Sequence, residues 1–147
     1  MKNILFHCLL LVGLASCSKA GNDPPAPVAP SVAVLAAGTW QWTDLSYVAT
    51  PKGGGVAVTR NTIVTPGAMA VTYHSDGTMY VSYRASSEVG SYTLAGSALT
   101  AVLSRNPQLP SRTLASTVKE LTATRLVLES PREDTGFRYI DTHTFAR

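Results

Sequence analysis

Two histidines stand close to carboxylates in this chain. His74 lies two residues before Asp76, and Asp141 two before His143. Residues two apart on a strand share a face, so Asp141 and His143 would present a carboxylate and an imidazole side by side. Such a pair could supply two metal ligands, or act as acid and base. A metal centre needs three or four convergent ligands, and the sequence offers no second cluster, so no metal is expected. No serine stands in the Gly-x-Ser-x-Gly turn that exposes a nucleophile. Lys52-Gly53-Gly54-Gly55 lacks the spacing and the following helix of a phosphate-binding loop. Glu129, Glu133 and Asp134 surround Pro131 in what reads as a turn and could offer oxygens to a calcium ion; a solvated loop is the simpler reading. No catalytic apparatus emerges. The chain is not expected to be an enzyme, and no cofactor is expected.

A second constellation is apolar. Met69, Tyr73, Met79, Tyr83, Tyr92 and Tyr139 fall in segments of alternating pattern. Methionine and tyrosine combine adaptable apolar area with an occasional hydroxyl, and they line small-molecule pockets. They also fill cores. The sequence leaves both readings open.

These residues must be positioned by one domain. The chain has 147 residues, 12 Lys+Arg and 9 Asp+Glu, for a net charge of +3. Length allows one domain rather than two. Charged residues make up 14% of the chain, where roughly a quarter is usual. The basic residues are scattered, without the run or stripe that binds nucleic acid, and no nucleic-acid partner is expected.

The beginning of the chain reads as an address. Met1-Lys2-Asn3 is a short positive region, followed by an apolar run from Ile4 to Leu14. That run is too short to span a bilayer, which takes about 20 residues, and it suits a secretory signal. Leu14-Ala15-Ser16-Cys17 resembles the lipobox of bacterial lipoproteins. The resemblance implies a signal peptide at 1–16, cleavage after Ser16 and lipidation of Cys17, with the membrane as partner through the acylated cysteine. Cys8 and Cys17 are the only cysteines, so the processed chain would have no disulfide. Ser18 follows the lipidated position. By resemblance to sorting rules this implies the outer membrane of the cell envelope, and without an acidic cluster just after Cys17 no surface-export signal is evident, so the periplasmic face is expected rather than the surface.

Residues 17–37 read as the lipidated cysteine and a disordered tether. Asn22-Asp23-Pro24-Pro25-Ala26-Pro27-Val28-Ala29-Pro30 is proline-rich and favours extended conformations. Residues 38–147 read as all-β. Val, Thr and Tyr alternate with short turn signals, and no sustained helical periodicity competes. Strands are expected over 39–48, 68–74, 78–84, 88–94, 98–103, 113–120, 125–129 and 137–146. Residues 56–64 form a strand or a long loop, and 106–110 a loop. Trp40 and Trp42 share a face of the first strand. Eight short strands joined by hairpins suggest a small antiparallel meander barrel, whose closure leaves no exposed edges.

Gly38-Thr39-Trp40 resembles the Gly-x-Trp that opens the first strand of lipocalins. Tyr73-His74-Ser75-Asp76-Gly77-Thr78, Gly90-Ser91-Tyr92-Thr93-Leu94 and Val118-Lys119-Glu120-Leu121-Thr122 resemble phrases of bacterial lipocalin-like lipoproteins. The ending Thr144-Phe145-Ala146-Arg147 fits the same pattern. The resemblance implies a calyx closed at one end by Trp40 packed against Arg147, as a barrel-base pair. It also implies a small apolar or amphipathic ligand lined by the Met and Tyr set. An eight-stranded barrel is just wide enough to be packed solid or to hold one small ligand. The alternative is therefore a packed barrel serving as a structural or protein-interaction module, its protein partner unidentified by the sequence.

Overall fold

The computed structural model describes residues 29–104 and 110–147. The expected signal peptide, Cys17, the first part of the tether and most of the loop at 106–110 lie outside the described residues.

Alternating Val, Thr and Tyr residues produce nine strands: β1 (Thr39–Pro51), β2 (Val58–Ile63), β3 (Met69–Tyr73), β4 (Thr78–Tyr83), β5 (Ser87–Ala95), β6 (Ala98–Ser104), β7 (Arg112–Leu121), β8 (Arg125–Glu133) and β9 (Phe137–Ala146). Eight of them, β1 and β3 to β9, form a closed antiparallel barrel. Each strand pairs with the next, and β9 returns to β1 along Gln41 to Pro51. This architecture is consistent with the lipocalin-like barrel expected from the sequence. The ninth strand, β2, is the segment that could have been a loop. It pairs with β1 from Asp44 to Ala49, on the same edge that β3 occupies at Thr39 to Gln41. All its residues are exposed, which explains why the hydrophobic pattern left it undecided.

Turn chemistry sets the register. Between β3 and β4, Asp76 Oδ1 accepts from the Thr78 backbone N–H (2.9 Å) and from Thr78 Oγ1 (2.7 Å). Gly77 there takes φ 85°, open to glycine at no steric cost. Asp76 thus serves the turn, and these hydrogen bonds hold its carboxyl below the usual range.

Two strands run past their expected ends. β1 continues to Pro51, and β8 to Glu133, pairing with the far half of β9. Pro131, expected at a turn, instead lies within β8 opposite Ile140. β7 pairs with β8 only from Glu129 onward toward Leu126, so the proline falls where it breaks no second ladder. The turn comes after it. Asp134 Oδ1 accepts from the N–H groups of Gly136 (2.9 Å) and Phe137 (2.8 Å).

The structure also folds part of the segment read as tether. Val32–Leu35 forms a single helical turn, α1, whose Leu35 is fully buried. It packs into the core with Trp40, Tyr73, Met79, Tyr92, Leu126 and Phe145. The folded unit therefore begins before Gly38.

Candidate functional site

Alternation along the strands sends one set of side chains into the barrel. Near α1 they close it. Trp40 is fully buried, donates from Nε1 to the Leu35 carbonyl (2.8 Å) and lies under the Arg147 guanidinium. Tyr73 and Tyr92 meet edge to face nearby, ring centroids 4.9 Å apart. Tyr92 donates to the His74 carbonyl at 2.7 Å. Burial, with Tyr92 beside it, pushes the Tyr73 hydroxyl well above its ordinary pKa.

Above this floor the barrel holds a cavity of about 490 Å³. Met69, Val71, Met79, Val81, Leu99 and Leu103 form much of its apolar wall. Ser116, Ser130, Asp141 and His143 face it from β7, β8 and β9, and Trp42 from β1. The Ser116 and Ser130 hydroxyls bond each other at 2.8 Å. Asp141 accepts from Arg132 Nε (2.9 Å) and Nη2 (3.4 Å). His143 lies against Trp42, ring centroids 5.7 Å apart. Its Nδ1 and the Trp42 Nε1 are buried without a protein partner. Burial lowers the His143 pKa, opposed by the charge of Asp141.

The end away from α1 carries an ion pair. Glu88, whose side chain is 3% exposed, accepts from Arg112 Nη2 at 2.7 Å, while the Arg112 side chain is 51% exposed. Arg112 Nη2 also reaches the Tyr83 hydroxyl at 2.8 Å. Burial raises the Tyr83 pKa, and the guanidinium works against it.

Four of the six residues expected to line a pocket do so: Met69, Tyr73, Met79 and Tyr83. Tyr92 stands behind Tyr73 at the closed end. Tyr139 stands outside the cavity, between Tyr47 and Phe137, with Arg132 stacked 3.8 Å from its ring centroid and its hydroxyl on Asp134. Trp40 and Arg147 meet at the base.

The chemical candidates are placed as follows. Asp141 and His143 share a face and line the cavity, but Asp141 is held by Arg132. Glu129 pairs with Lys119 (3.2 Å), and Glu133 with Lys52 (2.9 Å) and Arg138 (3.3 Å). Among the described residues, no three His, Cys, Asp or Glu side chains come together as a metal site. Sequence reading did not single out Arg112, Ser116 or Ser130, whose place depends on the pairing of β7 with its neighbours. The arrangement can enclose a small molecule and offer hydrogen bonds to one side of it. Comparison of the chain with protein-family models, with curated proteins and with solved structures gives no match.

Proposed function

We propose that this is a lipid-anchored envelope protein whose barrel binds a small apolar or amphipathic molecule. The cavity of about 490 Å³ carries this reading, since small-molecule sites commonly measure about 300–1,000 Å³. Its lining follows the usual rule for such sites, mostly apolar with a few placed polar groups. The lipobox-like Leu14-Ala15-Ser16-Cys17 supports the anchor, and Ser18 an outer-membrane address.

The test is a thermal-shift screen of fatty acids, isoprenoids and small aromatics. A ligand at a hundred times its dissociation constant stabilises its protein by about 2.7 kcal/mol. Ala101, buried on the cavity wall, gives the control. Ala101→Phe fills the space and should abolish the shift. If no class shifts the melting point, the cavity reading fails.

One surface feature favours a second reading, a protein-interaction module. Tyr80, Val89 and Val102 are exposed large apolar residues on adjoining strands of the outer wall, as a docking patch would be. A failed ligand screen would make this the better account.

A further inference from the structure

The two sides of the cavity differ in chemistry. β3, β4 and β6 supply Met69, Val71, Met79, Val81, Leu99 and Leu103. On that side only the hydroxyls of Tyr73 and Tyr83 are polar, and Arg112 holds the latter. The facing strands β7, β8 and β9 add Ser116, Ser130, Asp141 and His143 among the apolar Leu114, Leu128 and Phe145, with Arg112 and Arg132 also on the lining, and β1 adds Trp42. Neighbouring strands stand about 4.8 Å apart, so the polar row spans about 10 Å from β7 to β9.

The row keeps unused hydrogen-bonding capacity. The Ser116–Ser130 pair spends one hydroxyl hydrogen between the two residues and leaves the other. Asp141 has acceptor sites beyond those that Arg132 occupies. Trp42 Nε1 and His143 Nδ1 also lack a protein partner, but both atoms are buried away from the open space of the cavity. A linear acyl chain carries its polar atoms at one end, and would lay methylenes along this row. Buried polar groups left unpaired count against such a ligand. A flat ring system with oxygens along one edge would meet the polar row with that edge and the Met/Val/Leu wall with its opposite side.

We propose that the cavity selects a small planar ring compound bearing hydroxyl or carbonyl groups along one edge, in preference to a fatty acyl chain. This rests on the ligand-binding reading above and specifies its ligand class. Ser130, with Asp141 beside it, sets the preference.

The experiment measures binding to the full chain by calorimetry. Its probes are 2,7-dihydroxynaphthalene, naphthalene and dodecanoate. The diol is expected to bind at least about tenfold tighter than naphthalene, because a site built to hydrogen-bond a hydroxyl rejects the analogue lacking it. Dodecanoate is expected to bind more weakly than the diol. Ser130→Ala should reduce the ratio of diol to naphthalene affinity to about twofold, naphthalene binding to the same variant serving as its reference. Tighter binding of dodecanoate would overturn this inference and leave the ligand-binding reading standing. An undiminished diol preference in Ser130→Ala would overturn it too. Failure of all three probes to bind would overturn both.

Discussion

The Arg147 guanidinium lies 3.8 Å from the centroid of the Trp40 ring. Both side chains also hold α1. Arg147 Nη2 donates to the Val34 carbonyl at 3.0 Å, and Trp40 Nε1 to the Leu35 carbonyl at 2.8 Å. The start of β1 and the residue after β9 are thus joined through a helical turn that belongs to neither. A Cβ on Gly38 would come within 3.3 Å of Arg147 Cδ, so the glycine two residues before the tryptophan leaves room for the arginine.

Trp40→Ala should cost about 3–5 kcal/mol, as large aromatic deletions in cores do. Arg147→Ala should cost less, about 1 kcal/mol. Urea unfolding of both single variants and the double variant should give a coupling of about 0.5–2 kcal/mol. Strictly additive effects would mean that the ring contact contributes nothing.

Leu35 tests whether α1 is part of the fold. It is fully buried, so Leu35→Ala should destabilise by about 2–5 kcal/mol, with the denaturant slope unchanged. A loss below about 0.5 kcal/mol, typical of exposed positions, would show that the turn is not held in solution.

His143 should make stability depend on pH. Burial lowers its folded pKa below the ordinary 6.5, with Asp141 opposing. The folded state then resists a proton that the unfolded state accepts. The contribution is neutral above about pH 6.5 and destabilising as pH falls through that value toward the folded pKa. The slope is at most about 1.4 kcal/mol per pH unit, and smaller because His143 keeps some solvent. Asp76, Glu133 and Asp134 have lowered pKa values and act only at more acid pH. Melting curves between pH 7 and 5 should therefore flatten in His143→Phe. An unchanged pH dependence would place the titration elsewhere.

In the lipid-anchored reading proposed above, Cys17 would carry the acyl chains. Each buried methylene adds about 0.8 kcal/mol to membrane binding, so several acyl chains hold firmly. Cys17→Ser should block processing, seen as slower migration and loss of incorporated radiolabelled palmitate. An unchanged mobility with label retained would refute lipidation at this residue.

Barrel closure was legible because it follows from alternation, which is local. The Asp76-Gly77-Thr78 turn and the inward Met69, Tyr73, Met79 and Tyr83 could be read from a few residues each. The far ends of β1 and β8 could not. The far end of β8 keeps its ladder partners after burial has ceased, while β1 runs on through buried Ala49 to a half-buried Pro51 because β9 pairs it there; a hydrophobic pattern reports burial rather than pairing. Tyr139 fell outside the cavity because β9 outruns the cavity wall, so sharing an alternation with His143 does not give it the same surroundings. Ser116 and Ser130 are polar residues facing inward on neighbouring strands. Their meeting depends on the register of β7 against β8, which includes a shift between Val118 and Glu120. Part of the polar wall therefore appears only once the strands are paired.

The divided edge of β1 has a kinetic consequence. One side of β1 is laced to β9 from Gln41 to Pro51, but on the other side β3 holds it only from Thr39 to Gln41. β2 takes over that edge and has no second neighbour. The wall therefore has a short seam, and backbone amides along Ala70 to Thr72 guard it. Opening there breaks fewer backbone bonds than parting β9 from β1. Parting this seam is thus less costly than parting β9 from β1, and because its pairs include Trp40 with Val71, any breathing there is felt first at the base where Trp40 meets Arg147.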